Sequence, residues 1–408
     1  MRKLILVLIV LVVGALAGYG LWQVFRSVPA PSHPNPSGVG GVISPGIVSR
    51  PGTVVVPGAT SSSPGVTAMS QKFGVVAPDP VLDYFVDKQS VVWLIRPDGQ
   101  VVRVAGGRTG TASASTLPNL TRARFSPNGR FVLAEGKSGA SLFSTASSTW
   151  QGLPVAVTDA AWSADSRVVL FLARGDKTNV LAELDPARPQ APPRPLLGVN
   201  VSDVDIIASS PEKILLVARS SAETEGAAWW VDLAKQTSQP ALAGRVGLVI
   251  NWNGAAGYGV AFAANKNRRG GTLSLLGRGG TVLHDLNFLT LPNKCTLISE
   301  ERSAKSEELG QAHSTSSGQA TSTEGAGLIC AVPRDARAFA AAELPDDYFK
   351  RRLYTVDDFL SINLTTGDVS SLLNLEGLSL DADELRVYQN RLFFINRYDR
   401  RLYGLTLD

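Results

Sequence analysis

Few residues of this 408-residue sequence have the types and spacing that chemistry at a site requires. The three histidines, His33, His284 and His313, are far apart, and no Cys-x-x-Cys or His-x-x-x-His pair is present to hold a metal ion. No Gly-x-Ser-x-Gly turn presents a serine nucleophile, and no P-loop cradles a phosphate. The sequence therefore predicts a protein that is not an enzyme, with no catalytic residues, metal ligands or cofactor.

Two pairs of adjacent carboxylates are candidates for acid–base chemistry. They are Asp346 with Asp347 and Asp357 with Asp358. Adjacent acidic residues in loops usually cap a turn or face solvent, and we interpret both pairs in this way. The alternative is a hydrolase or lyase that acts on envelope glycans or peptides. That alternative requires ionisable groups with shifted pKa values to meet in one cavity.

Nine basic residues fall into three clusters that could form one surface for anions or lipid headgroups. The alternative is that they are soluble turn residues on a nearly neutral surface. The clusters are Lys266, Arg268 and Arg269; Lys350, Arg351 and Arg352; and Arg397, Arg400 and Arg401.

The only two cysteines, Cys295 and Cys330, are predicted to lie on two strands that flank a long loop. Such strands could bring the two thiols opposite each other. A disulfide is possible if the protein is exported, and two reduced cysteines in the core fit the same spacing.

The first 26 residues read as a transmembrane signal anchor. Arg2 and Lys3 precede 22 uncharged residues, Leu4 to Phe25, which would span about 33 Å as a helix. This predicts a single-pass protein with its N-terminus in the cytoplasm and the remainder outside, so that one partner is the membrane. The alternative is secretion after cleavage near Ala17.

Residues 27–72 are predicted to form a flexible linker, because they are rich in Pro, Gly and Ser, with eight prolines by Ser70. The formal net charge of +4 includes Arg2, Lys3 and Arg26. Of the 39 basic residues, 36 therefore remain beyond Arg26, against 35 acidic ones. This balance gives no support to a nucleic-acid partner.

The elements that must position these residues are set by a repeat. TRARFSPNGRFVLAEG begins at Thr121, and TDAAWSADSRVVLFLARG begins 37 residues later at Thr158. Each copy is an alternating strand with an aromatic end, a polar turn and a second apolar strand. This length is typical of one blade of a β-propeller.

The repeat extends over residues 73–408, which we predict to form an all-β propeller. Seven blades are expected, and six or eight remain open. The expected blade starts are Val81, Thr121, Thr158, Ser202, Leu248, Lys294 and Leu380. Two insertions lengthen the sixth blade, a disordered loop at 302–325 and a helical segment at 335–354. The last blade has only three strands, so Phe73 to Ala77 is expected to supply its fourth.

The turn Phe125 to Arg130 (FSPNGR) resembles the WD40-like PD40 repeat of TolB-type propellers, and Trp162 to Arg167 (WSADSR) is a degenerate copy. This resemblance implies a propeller and a scaffold role in the cell envelope, but no substrate. The predicted function is therefore a membrane-tethered, extracytoplasmic module that binds one or more envelope proteins without catalysis.

Adjacent Trp229 and Trp230 must point to opposite sides of a strand, so we expect one in the core and the other between blades or exposed.

Overall fold

A computed structural model describes residues 72–407, except 138, 154–156, 176–177, 202, 299–326, 365 and 374–376. The predicted membrane span, the linker up to residue 71 and the predicted loop at 302–325 lie outside the described residues. Within the described residues, no helix is both long enough and apolar enough to cross a membrane.

The described strands form seven antiparallel sheets of four strands each, which are the blades of a propeller. The first strand, β1 (Phe73–Ala77), belongs to the last blade. Blade 1 consists of β2 (Asp83–Val86), β3 (Val92–Ile95), β4 (Val101–Ala105) and β5 (Arg108–Thr111). Blade 2 consists of β6 (Leu120–Phe125), β7 (Phe131–Gly136), β8 (Gly139–Ser144) and β9 (Thr149–Gly152). Blade 3 consists of β10 (Val157–Trp162), β11 (Val169–Ala173), β12 (Asn179–Leu184) and β13 (Arg194–Val199).

The remaining four blades follow in the same order along the chain. Blade 4 consists of β14 (Val204–Ser210), β15 (Lys213–Ala218), β16 (Glu225–Asp232) and β17 (Thr237–Val246), and blade 5 of β18 (Val249–Asn253), β19 (Tyr258–Ala264), β20 (Gly271–Leu276) and β21 (Val282–Asp285). Blade 6 consists of β22 (Cys295–Ile298), β23 (Gly327–Pro333), β24 (Asp357–Asn363) and β25 (Val369–Leu373). Blade 7 consists of β26 (Ala382–Tyr388), β27 (Arg391–Asn396) and β28 (Leu402–Thr406), together with β1. The prediction of seven blades is confirmed.

The ring closes as predicted, because β1 pairs with β28 and completes blade 7. Phe73 lies opposite Leu405, and its ring stacks on that of Tyr403 at a centroid distance of 5.6 Å. Closure of this kind removes the open edge that a three-stranded last blade would expose.

The repeated turn has a clear physical basis. In blade 2, the Oγ of Ser126 accepts a hydrogen bond from the N–H of Phe131 at 3.0 Å, and Asn128 Oδ1 accepts one from the N–H of Arg130. Gly129 has φ +69°, and a Cβ there would meet the Phe85 ring at 2.2 Å, so only glycine fits. The repeated motif therefore forms the tight turn that connects the first two strands of a blade.

The core lies between the blades. Seven clusters of buried apolar side chains fill the seven interfaces, each formed by facing residues of two neighbouring sheets. Between blades 2 and 3, for example, Leu133 and Leu142 pack against Trp162 and Phe171. This arrangement leaves the inner strands, one per blade, to line the central channel.

Blade 6 carries a disulfide and a short helical segment. Cys295 and Cys330 occupy directly opposite positions of β22 and β23 and are joined as a disulfide. Within 335–354 the chain forms two short helices, α1 (Ala336–Ala341) and α2 (Asp346–Phe349). This segment contacts blades 5 and 4: the N–H of Gly270 donates to the carbonyl of Ala342, and Asp346 accepts a hydrogen bond from the N–H of Ala222 at 3.0 Å.

Candidate functional site

Polar side chains of the channel come from the inner strands. In β6, Arg122 and Arg124 alternate with Ala123 and Phe125, so the arginines face the channel while the apolar residues face the core. Because the strands of a blade are antiparallel, the turn between the second and third strands lies at the edge where the inner strand begins. The turn between β27 and β28, which contains Arg397 and Arg400, therefore meets the start of the inner strands.

Carboxylates at this edge connect two pairs of neighbouring blades. Asp83 of β2 accepts a hydrogen bond from the N–H of Phe125 in β6 at 2.7 Å. Asp159 of β10 accepts one from the N–H of Ile206 in β14 at 3.0 Å. Burial raises the pKa of both carboxyl groups, and nearby arginines oppose that shift. These aspartates therefore serve first to join neighbouring inner strands.

A cavity of about 480 Å³ runs along the inner strands of blades 1, 2 and 7. Its charged lining is predominantly basic, with six arginines against three carboxylates. The arginines are Arg122, Arg124, Arg351, Arg386, Arg397 and Arg400, and the carboxylates are Asp83, Asp383 and Glu384. A cavity with this charge favours anionic groups.

Three of these arginines are neutralised by carboxylates. The Nη2 atom of Arg386 lies 2.7 Å from Oδ1 of Asp83, and Arg122 forms an ion pair with Asp159. The Nη1 atom of Arg397 lies 2.7 Å from Oδ2 of Asp381. The charges of these three arginines are therefore largely compensated by carboxylates of the protein itself.

The other three arginines have no carboxylate within 4.0 Å in the described part of the chain. Arg124 donates to the carbonyl of Ala160 at 2.7 Å. Burial lowers the pKa of Arg400, and the like charge of nearby Arg351 lowers it further. Both have positive φ, 57° and 60°, a conformation that costs a residue other than glycine about 1 kcal/mol or more. The fold thus holds two like charges together at the cavity, on a strained backbone, with no carboxylate of the described residues in an ion pair with either one.

Asp383 is a carboxyl group of the cavity whose pKa lies well above its usual value. Its Oδ1 accepts a hydrogen bond from Asn293 Nδ2 at 2.6 Å. Burial, reinforced by the neighbouring charge of Glu384, raises its pKa from 3.8 to about 6. A carboxyl group with this pKa can donate or accept a proton near neutral pH.

The raised pKa of Asp383 predicts a specific dependence of stability on pH. Between pH 3.8 and about 6 the folded state holds this proton more tightly than the unfolded state. The stabilisation is therefore complete below about pH 4 and is lost as the pH rises through 6. We expect Asp383→Asn to abolish this part of the loss, as measured by urea unfolding at pH 4, 5, 6 and 7. The exposed Asp368→Asn should leave the wild-type profile unchanged, and an identical profile in Asp383→Asn would contradict the assignment.

The structure separates the three predicted basic clusters. Arg351 and Arg400 meet at the cavity, whereas Lys266, Arg268 and Arg269 lie in the turn between β19 and β20, where Arg268 pairs with Glu223 at 2.6 Å. Lys350 and Arg352 pair with carboxylates of α2, and Arg401 is exposed outside the cavity lining. Arg397 is not a surface residue, because it is 8% exposed. The nine residues therefore do not form a single surface.

The prediction that the paired carboxylates are solvated is wrong for Asp357. It is fully buried at the start of β24 and lies 2.7 Å from Nζ of Lys294, which is also fully buried. The same ammonium lies 2.7 Å from Asp381, and Thr355 Oγ1 hydrogen-bonds to both Lys294 and Asp381. Asp358, in contrast, pairs at the surface with Arg334. The pair diverges because neighbouring strand residues point to opposite sides.

A second cavity, of about 550 Å³, lies between blades 4 and 5. Trp230 packs edge-on against Trp252 there, with ring centroids 5.0 Å apart, and Trp229 packs between blades 3 and 4. The indole N–H groups of Trp230 and Trp252 are satisfied by the Gly279 carbonyl and by Ser209 Oγ. Both members of the Trp229–Trp230 pair are thus contacts between blades.

The channel residues Arg122, Arg124, Asp383 and Arg386 were not singled out from the sequence. The sequence feature that marks them is the alternation of charged and apolar residues within a predicted inner strand, as in TRARF. That pattern shows which residues share a face, but not which faces line the channel.

No family model and no curated protein sequence matches this chain. Among solved structures, it is similar to a catalytically inactive virginiamycin B lyase from Staphylococcus aureus, with 10% identity over 83% of this chain and 99% of that one, and a TM-score of 0.47. It is also similar to the propeller domain of Cps50 (Swd1) from Myceliophteria thermophila, with 12% identity, 82% and 100% coverage, and a TM-score of 0.49. A computationally designed protein, Ika8, gives 13% identity, 81% and 96% coverage, and a TM-score of 0.45. Similarities this distant give no information about the function of this chain. Its assignment as a seven-bladed β-propeller depends on its own strand order.

Proposed function

We propose that this protein is a non-catalytic binding module that recognises an acidic segment of a partner protein at the arginine-rich mouth of its channel. The observation that carries the proposal is the pair Arg351 and Arg400, which line the cavity without a carboxylate partner among the described residues. Arginine binds carboxylates through two parallel hydrogen bonds, which gives both strength and geometric selection. A rigid ring of blades supports these loop residues, as is usual for binding sites.

The proposal is tested with a peptide of alternating Asp and Gly residues and a matched peptide of Asn and Gly. We expect the acidic peptide alone to bind in calorimetry, and more weakly as salt is raised. The variant Arg351→Ala/Arg400→Ala should reduce its affinity about tenfold or more, since a charge-assisted hydrogen bond contributes roughly 1.5–3 kcal/mol.

The chain offers matched controls for this experiment in the adjacent arginines. Arg352 and Arg401 are neighbours in sequence but lie outside the cavity lining. Arg352→Ala/Arg401→Ala should therefore retain the wild-type affinity. Equal losses in the two double variants would indicate a non-specific effect of net charge and would refute the site.

We further propose that the propeller is held outside the cell by the segment Leu4 to Phe25, with an envelope protein as its partner. The support is the uncharged length of that segment and the resemblance of FSPNGR to the repeats of TolB-type propellers. Full-length protein expressed in bacteria should stay in the membrane pellet after alkaline carbonate extraction, and a chain lacking 4–25 should not. Release of the full-length chain, with a new N-terminus near Ala17, would favour secretion instead.

A second candidate function is catalysis in the same cavity, and Asp383 is the observation that favours it. A half-buried carboxyl group with a pKa of about 6, in the same cavity as Arg351 and Arg400, could serve as a general acid for an anionic substrate. Turnover of envelope glycans or peptides that is lost in Asp383→Asn, while the acidic peptide still binds, would support this candidate over the first.

A further inference from the structure

Blade 6 contains a buried lysine in an unusual environment. Lys294 immediately precedes β22, the inner strand of this blade, and none of its side chain is exposed. Its Nζ atom lies 2.7 Å from Oδ2 of Asp357 and 2.7 Å from Oδ1 of Asp381. The Tyr348 ring lies 5.0 Å from the ammonium, and Tyr348 is itself 1% exposed. A primary amine is thus held against two carboxyl groups in a fully buried site.

The two carboxyl groups differ in their hydrogen bonds. Asp381 is well supported, because Arg397, Thr355 and Lys294 all contact it. Asp357 is not: its Oδ2 accepts from the N–H of Ala382 at 2.8 Å, but its Oδ1 is buried without a partner among the described residues. An unsatisfied buried oxygen is costly and therefore calls for an explanation.

We propose that Lys294 and Asp357 form an intramolecular amide bond after folding, with Asp381 as the group that moves the proton. The amine would attack Cγ of Asp357, the atom next to the oxygen it already contacts. Rotation of the carboxyl group about the Cβ–Cγ bond would expose Cγ to the amine nitrogen. No hydrogen bond to Oδ1 among the described residues opposes this rotation.

The reaction balances without any external reagent. The Lys294 ammonium gives one proton to the Asp381 carboxylate, and Asp381 passes that proton to Oδ1 of Asp357. The neutral nitrogen then forms a bond to Cγ, the negative charge lies on Oδ2, and the Cγ–Oδ1 bond breaks. Oδ1 leaves as water with this proton and a second proton from the nitrogen. The products are one amide and one water, and Asp381 is again ionised.

Three features of the site favour this step. The amine and the carboxyl group are held in contact, which removes the entropic cost of bringing them together. The Ala382 N–H would hydrogen-bond to the Oδ2 oxyanion as the tetrahedral intermediate forms. Burial raises the pKa of Asp357, which favours the proton on Oδ1 that the leaving group requires.

The bond would also have a structural use. It would tie the start of β22 to the start of β24 within blade 6, the blade in which 299–326 and 334–356 separate successive strands. The disulfide between Cys295 and Cys330 already joins β22 to β23. Together the two links would join three of the four strands covalently.

Mass spectrometry of the full-length protein tests the proposal directly. After reduction, alkylation and trypsin digestion, an unmodified chain gives separate peptides 279–294 and 353–386. The amide would block cleavage at Lys294 and link 279–302 to 353–386, with the loss of one water. We expect this linked peptide in more than about half of the folded protein, with fragment ions that place the bond on Asp357. Separate unmodified peptides, or a bond to Asp381, would overturn the proposal.

Variants give an independent check of the assigned roles. Asp357→Asn should yield a linked peptide of the same mass, because an amide side chain loses ammonia instead of water. Asp357→Ala should yield none, and Asp381→Asn should reduce the linked fraction about tenfold or more, because it lacks the proton carrier. Circular dichroism of each variant identifies those that are folded, and only these are compared. A linked peptide in Asp357→Ala would contradict the chemistry.

Discussion

A chain that begins at Pro78 is expected to lose cooperative folding, because it lacks β1 and leaves β28 as the open edge of a three-stranded blade. The paired positions Phe73 to Leu405 and Gly74 to Gly404 would disappear, and with them the stacking of Phe73 on Tyr403. In a closed ring each blade is held by two neighbours, so one defective blade exposes two interfaces. The expected loss is on the order of the whole stability of a domain, about 5–15 kcal/mol.

The matched control is a chain that begins at Lys72 and keeps β1 intact. We expect it to unfold in urea at the same midpoint as the full-length protein, while the shorter chain elutes as oligomers in size-exclusion chromatography. Oligomers are expected because an unpaired strand edge pairs with other chains. A monomeric, cooperatively unfolding chain from Pro78 would show that blade 7 does not depend on β1.

Arg397→Ala is expected to destabilise the propeller by about 3–5 kcal/mol, because it removes one partner of a buried ion pair. Its guanidinium contacts Asp381 at 2.7 Å, donates to the carbonyl of Tyr348 at 2.6 Å and stacks over the Tyr348 ring at 3.6 Å. The substitution leaves a buried carboxylate with less compensation and a carbonyl without its donor. Urea unfolding at pH 7 measures the difference.

Two variants control for the charge and size of the side chain in this experiment. Arg401→Ala removes an exposed arginine from the same turn and should change stability by less than about 0.5 kcal/mol. Arg397→Lys keeps the charge but loses the planar fork and the stacking, so an intermediate loss is expected. A loss in Arg397→Ala no greater than in Arg401→Ala would show that the buried pair contributes little.

The buried and the unpaired arginines have different roles although they are close in sequence. Arg397 and Arg400 lie three residues apart in one turn, yet one is bound to Asp381 and the other has no carboxylate partner among the described residues. The first is required for the fold, and the second is available to a ligand. Substitution of each therefore separates a stability effect from a binding effect within a single turn.

The sequence by itself determined the architecture of this protein. The predicted blade starts, such as Val81, Leu248 and Lys294, lie within two residues of the observed inner strands, and Phe73 to Ala77 was identified as the closing strand. These features depend on local alternation, turn residues and repeat length, all of which are properties of neighbouring positions along the chain.

Only the tertiary structure decided which of these residues share a site. Arg122, Arg351 and Arg400 come from three distant parts of the sequence. They meet because the closed ring brings the 334–356 connection of blade 6 and a turn of blade 7 to one cavity with the inner strands of blades 1 and 2. Asp357 was interpreted as solvated from its pairing with Asp358, but its face of β24 packs inward against Lys294. Burial and charge pairing depend on contacts between residues far apart in the chain, and these contacts exist only once the ring is closed.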